Sequence, residues 1–175
     1  DEYFVPENKF SEQKKIQVKY REPLDAFYRQ IYPDLLKIEP VLMGGSIDKA
    51  GIDVLLYFKN DICIKVQEKT RDVDYDDFLV EFYHCKENNL KEPRITGKPG
   101  WYFKMGFDLM MYIVVPSSNI YIIEKDEIIK AIEKNKYDLK NSEWKTSWNP
   151  EGRYWTYNKR LSWFLIKNKK CRIIL

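Results

Sequence analysis

Four side chains at the ends of two apolar runs could do chemistry in this sequence: Asp53 in GIDVLLYF, and Gln67, Glu68 and Lys69 in ICIKVQEK. A carboxylate, an amide oxygen and an ammonium suit a hard divalent cation working on a phosphate. Mg²⁺ takes oxygen ligands and keeps several of its waters. Bound, such a cation polarises a phosphoryl oxygen and acidifies water. Asp53 would give a carboxylate, Gln67 an amide oxygen and Glu68 its peptide carbonyl, so these three are the candidate metal ligands. Lys69 would orient water or stabilise charge building on a phosphate. The plainer account is an ion pair between Asp53 and Lys69 at a sheet rim, because a buried unpaired charge is costly.

These groups meet only if the two runs pair in one register. Strand side chains alternate between faces, and directly opposed residues share a face. A three-residue KND connection sets Leu56 against Ile64 and Val54 against Val66, which makes one face wholly apolar. The other face then carries Tyr57 with Cys63, Leu55 with Lys65 and Asp53 with Gln67, followed by Lys69. A two-residue Asn60–Asp61 turn would mix the faces, and burial selects against that. Glu68 points to the opposite side from Gln67 and Lys69. A bulge at Asp53 would change its facing.

The flanking elements follow from periodicity. REPLDAFYRQIYP predicts a helix closed by Pro33, with Leu24, Phe27, Tyr28 and Ile31 on one face and Asp25 off that stripe. SEQKKIQVKY is a helix or a polar lead-in. DLLKIEPVLM is extended, and FLVEFYH alternates as a strand. DLMMYIVV and NIYIIEK form a hairpin across PSS. DEIIKAIEKNK is an amphipathic helix with Asp126 as N-cap and Ile128, Ile129 and Ile132 inward. RYWTYN, RLSWFLIK and CRIIL are short strands. The fold class is mixed α and β (α+β) around an antiparallel or mixed sheet.

On these residues the chain resembles the PD-(D/E)xK nuclease superfamily, the restriction-endonuclease-like fold. There an acid opens one strand, and an acid (sometimes Gln), any residue and Lys follow on the next. Here the pattern falls on Asp53, Gln67 and Lys69. Gly51 before Ile52 and Arg71 after Lys69 match many members. The resemblance is clear over residues 20 to 71. The Gly100–Trp101 and DLMMYIVV segments resemble later core strands of phage-type and Holliday-junction-resolvase-like members.

The resemblance implies a central mixed β-sheet flanked by helices. It also implies a Mg²⁺-dependent endonuclease, with Mn²⁺ as a substitute, cutting phosphodiesters of nucleic acid, DNA ahead of RNA. Many relatives are homodimers. In several branches an acid on the first helix joins the site, here Asp25 with Glu22 second, and the loop acid Asp48 could approach the metal. The departure is Gln67, a neutral and weaker ligand than the usual carboxylate. The alternative is therefore a catalytically degenerate member that binds nucleic acid or a protein partner. A third reading is an unrelated α+β binding protein with a strand-end ion pair.

Composition sets the remaining bounds. The chain has 175 residues, 44% hydrophobic and 33% charged, which suits one domain with a sizeable core. That domain reads as a core over about residues 20–135 and a basic, Trp-rich elaboration over 136–175. Three cysteines and one histidine argue against a disulfide framework and a Cys/His zinc site. His84 reads as an ordinary strand-end residue. DEYFVPENKF lacks the basic-then-apolar pattern of a secretory leader, and no apolar run is long enough to span a bilayer, so a cytoplasmic protein is expected. From Glu151 onward there are seven bases and one acid, which suits a polyanion partner. Arg71, Arg153, Lys159 and Arg160 are the candidate backbone-phosphate contacts. Of the five tryptophans, Trp101 and Trp148 are the candidates for stacking on unpaired bases, and the others are expected to pack.

Overall fold

The computed structural model describes residues 21–41, 45–46, 50–71, 74, 77–149 and 152–166, and the backbone of 170–173. SEQKKIQVKY, Asp48 and the side chains of Lys167, Lys169, Lys170 and Arg172 lie outside the described residues.

A helix, α1, covers residues 21–31. It stops where expected: the N–H of Tyr32 donates to the Tyr28 carbonyl at 2.9 Å, and Pro33 has no N–H to continue the ladder. Strands β1 (Leu35–Pro40), β2 (Val54–Phe58) and β3 (Cys63–Arg71) follow. Next come β4 (Asp77–Cys85), the short β5 (Lys98–Pro99), β6 (Leu109–Val114) and β7 (Asn119–Glu124). Helices α2 (Lys125–Lys134) and α3 (Lys136–Asn141) precede β8 (Lys145–Asn149), β9 (Tyr154–Ser162) and β10 (Lys170–Ile173).

The strands make a six-stranded sheet in the order β1-β2-β3-β6-β7-β10 and a four-stranded sheet in the order β5-β4-β9-β8. The first is mixed, since β3 and β6 run parallel while its other neighbours are antiparallel. A parallel pair needs a long crossover, and here the crossover contains β4 and β5. The protein is thus an α+β fold around a central mixed sheet.

That sheet is covered on both sides. On one side Leu24, Phe27 and Tyr28 of α1 pack on Val54, Leu56, Val66, Met111 and Ile113. On the other, Met110, Tyr112 and Ile123 meet Phe78, Val80 and Leu161 of the second sheet and Ile128 and Ile132 of α2. Strand β6 is buried along its whole length, as a continuous apolar run between two layers requires. The flank opposite α1 is therefore shared between a helix and the second sheet. Phe78 anchors that layer, with ring centroids 5.9 Å from Trp101, 5.1 Å from Tyr112 and 5.4 Å from Trp163. The segment after residue 135 is woven into the core rather than added to it, since β9 lies between β4 and β8 and Trp163 is buried.

Two details of α2 differ from expectation. Glu124, in extended conformation and without a side-chain cap, takes the N-cap position, and Asp126 sits in the first turn, where the helix dipole also favours an acid. Ile129 is exposed rather than inward.

An ion-pair network bolts α1 to the sheet. Arg21 donates from Nη1 and Nη2 to the Glu68 carboxylate at 3.0 and 3.1 Å and from Nε to Asp25 at 2.7 Å. The Tyr28 hydroxyl donates to Glu68 Oε1 at 2.7 Å. Burial first, and then the Glu68 charge, push the Tyr28 phenol well above its usual range, so it stays a donor. Hydrogen bonds to charged groups are stronger than neutral ones. Tyr28→Phe is expected to cost about 2 kcal/mol and to lower Tm by about 6 °C in thermal unfolding. An unchanged Tm would show that the bond contributes nothing.

Candidate functional site

The hairpin adopts the register that burial selects: Val54 opposes Val66, Leu55 opposes Lys65, Leu56 opposes Ile64 and Tyr57 opposes Cys63. Phe58 N–H donates to the Ile62 carbonyl at 2.9 Å. Asn60 and Asp61 take φ of 60° and 59° in the turn, a conformation that Asn and Asp tolerate.

The register does not extend to Asp53. Its N–H donates to the Val66 carbonyl at 2.8 Å, while its own carbonyl accepts from Val41 N–H at 2.8 Å on the other side. A regular strand residue directs both groups the same way, so the chain kinks at Asp53 as it does in a β-bulge. The expected opposition of Asp53 and Gln67 is replaced by a different contact: Asp53 Oδ2 accepts from the Glu68 N–H at 2.7 Å. The carboxylate also lies near enough to Tyr28, on the α1 side, for its charge to raise that phenol.

Beyond the bulge, β3 pairs with β6. Gln67, Lys69 and Arg71 align with Met110, Tyr112 and Val114, and Glu68 aligns with Met111. The first three therefore share the face toward the second sheet, and Glu68 faces α1, as alternation demands. Since Glu68 N–H points at Asp53 beyond the end of β2, its carbonyl is turned to the same edge.

Gln67 is 4% exposed, and its Oε1 is a buried side-chain oxygen with no hydrogen-bond partner among the described residues. Leaving such an acceptor unsatisfied costs about 1–3 kcal/mol, so it asks for an explanation. Gly51, at φ +78°, lies against the amide: a Cβ there would be 3.6 Å from Gln67 Nε2. The Asp53 carboxylate meets the backbone N–H of the next residue, Glu68, at 2.7 Å.

Lys69 pairs with Glu81 of β4, with Nζ 4.0 Å from Oε2. Glu81 Oε1 lies 2.8 Å from His84 Nε2 and accepts from Trp101 N–H at 3.3 Å. Burial alone would raise the Glu81 carboxyl, but the Lys69 charge, His84 and the Trp101 N–H outweigh it and bring it to about 2.

The sign of this shift sets a pH dependence. A depressed folded-state pKa gives stability that is present above the usual carboxyl value of 4.5 and lost as pH falls through about 2. The drop corresponds to roughly 3 kcal/mol for a side chain 15% exposed. Glu81→Gln is expected to be less stable near neutrality by up to about 3 kcal/mol and to lose stability less steeply than wild type on acidification. Urea unfolding near neutrality and in acid measures both, and parallel curves would refute the assignment.

The other expected residues are placed as follows. Asp25 pairs with Arg21 on the α1 side, across the sheet from Gln67 and Lys69, so it does not join their face. Glu22 is exposed. The Glu68 side chain is held by Arg21 and Tyr28, which leaves its peptide as the group on the edge. Arg71, expected on phosphates, is largely buried: its Nη1 donates to the Asp77 carbonyl at 2.7 Å and to the Asp77 carboxylate. Arg160 reaches the same carboxylate, Nε to Oδ2, at 2.8 Å. Lys159 is 5% exposed, donates to the Ser142 carbonyl, and lies 4.0 Å from the Trp144 ring centroid. Burial pushes its ammonium pKa down. Of the four candidate phosphate contacts, Arg153 and Arg160 are exposed, and Arg160 is the one of these two that pairs with Asp77. Trp101 is 3% exposed and belongs to the core, whereas Trp148 is 45% exposed.

Glu81 and Asp77 were missed by sequence reasoning. Each is an acid in or beside the apolar run FLVEFYH, which is a signal, but their cationic partners are on β3 and β9. Among the described residues no group of three or more His, Cys, Asp or Glu side chains is arranged to hold a metal, and no helix is long and apolar enough to cross a membrane. Of the expected ligands, the Asp53 carboxylate and the Glu68 peptide lie at one strand edge, next to the buried Gln67 side chain; a cation such as Mg²⁺ needs few protein ligands because it retains waters. No family model matches the chain, no curated protein matches its sequence, and no solved structure matches its fold.

Proposed function

We propose that this protein is a metal-dependent nuclease that hydrolyses phosphodiester bonds of nucleic acid, with DNA the substrate its sequence resemblance favours. The observation that carries the reading is the orphaned Gln67 Oε1, on the same face as Lys69 and one residue before the Glu68 N–H that the Asp53 carboxylate accepts from. A buried acceptor without a donor suits a cation, and a carboxylate and a peptide carbonyl stand at the adjoining strand edge.

Asp53, Gln67 and the Glu68 carbonyl would hold Mg²⁺ or Mn²⁺. The bound cation supplies Lewis acidity to the phosphate and lowers the pKa of water. Asp53 is fixed for this by the Glu68 N–H at 2.7 Å. Lys69 places an ammonium on the Gln67 face, where it offsets charge developing on the phosphate.

The test is cleavage of single-stranded, duplex and branched DNA and RNA with Mg²⁺, Mn²⁺ or EDTA. Cation-dependent cleavage is expected, with EDTA abolishing it. Cleavage indifferent to EDTA would overturn the reading.

A second reading is favoured by a specific observation. Arg71 and Lys159 are engaged inside the protein and the half-exposed Arg160 is paired with Asp77, which weakens most of the expected phosphate contacts. A degenerate member would bind nucleic acid or a protein through exposed groups such as Arg153 and Trp148. Binding of wild-type protein without cleavage under any cation would support it.

A further inference from the structure

We propose that Glu81 is the positioning residue for Lys69, a carboxylate supplied by the second sheet to the face on which the QxK strand presents Gln67 in place of an acid. This rests on the nuclease reading for its role and on the structure for its geometry.

Glu81 is fixed from several sides. His84 Nε2, at 2.8 Å, and the Trp101 N–H, at 3.3 Å, both engage Oε1, which turns Oε2 toward Lys69. His84 is itself stacked on Tyr154, with centroids 4.3 Å apart and planes at 13°. The Trp101 N–H is held in place by Gly100, whose N–H donates to the Phe82 carbonyl at 2.6 Å. The approach is so close that a Cβ on Gly100 would meet the Glu81 carbonyl oxygen at 2.6 Å. Tyr154, His84, Glu81 and Lys69 thus form a line that runs from β9 through β4 to β3.

The end of that line is open. The Lys69–Glu81 separation of 4.0 Å exceeds the about 2.7–2.9 Å of a charge-assisted hydrogen bond. The carboxylate therefore fixes where the ammonium sits without consuming its protons, which remain for a phosphate oxygen or a water.

The experiment compares Glu81→Gln, Glu81→Asp, Lys69→Ala and the Glu81→Gln/Lys69→Ala double variant, each assayed below its own unfolding temperature on fluorescein-labelled single-stranded and duplex oligonucleotides. Glu81→Gln is expected to lower kcat by about 10- to 100-fold, with KM changed far less. Glu81→Asp, which keeps the charge, restores part of the loss. The double variant is no slower than Lys69→Ala, because both act through one group. Wild-type kcat in Glu81→Gln, or losses that multiply in the double variant, would overturn the proposal. If the wild-type protein binds oligonucleotide but never cuts it, the nuclease reading fails and affinity becomes the readout. Equal, non-multiplying losses of affinity in Lys69→Ala and Glu81→Gln would then uphold the positioning role. Absent or multiplying losses, or no binding by wild type, would sink it.

Discussion

Asp77→Ala is expected to destabilise the protein by about 3–5 kcal/mol and to lower Tm by about 10 °C. Asp77 is 7% exposed, and its carboxylate joins three strands. It sits at the start of β4, accepts from Arg71 at the end of β3, and pairs with Arg160 of β9 at 2.8 Å. Removing it takes the carboxylate partner from an Arg71 side chain that is 13% exposed. A buried charge stripped of its counter-charge is the expensive case, whereas the half-exposed Arg160 contributes little. Asp77→Asn keeps the shape and loses the charge, so it is expected to fall between wild type and Asp77→Ala. Calorimetric or circular-dichroism melting reads both, and a Tm within experimental error of wild type would show that Arg71 does not depend on this carboxylate.

Asp53→Asn is expected to reduce cation-dependent cleavage by about 10³-fold and Lys69→Ala by about 10²-fold. Asparagine is the sharper variant at 53, because its amide oxygen can still accept from the Glu68 N–H that Asp53 Oδ2 meets at 2.7 Å. The bulge is kept and the negative charge is lost. An aspartate that served only to end the hairpin would tolerate the change, and one that holds a divalent cation would not. Single-turnover cleavage with saturating Mg²⁺, repeated with Mn²⁺, is the measurement. Cleavage at wild-type rates in Asp53→Asn would remove Asp53 from the site and with it the proposed function.

The sequence by itself determined the local and periodic features. Pro33 ends α1, the spacing of Leu24, Phe27 and Tyr28 turns its apolar stripe to the sheet, and the apolar face of residues 54 to 66 fixes the hairpin register. Each depends on neighbours in the chain or on a pattern that burial reads directly. Alternation likewise put Gln67 and Lys69 on one face of β3 and Glu68 on the other.

Only the tertiary structure decided what those side chains meet. Asp53 leaves the register because its backbone must bond Val66 on one side and Val41 on the other, a demand that arises when β1 joins the hairpin. Asp25 is drawn to Arg21 on the far face. Arg71, Arg160 and Lys159 look in sequence like a basic surface, but a buried acid and a carbonyl from other elements claim them. Glu81 is one acid in an apolar strand until the two sheets stack and bring it to Lys69. Charges act through space and most of these partners lie on other elements, so the chain order that dictates a strand does not say which carboxylate an ammonium will face.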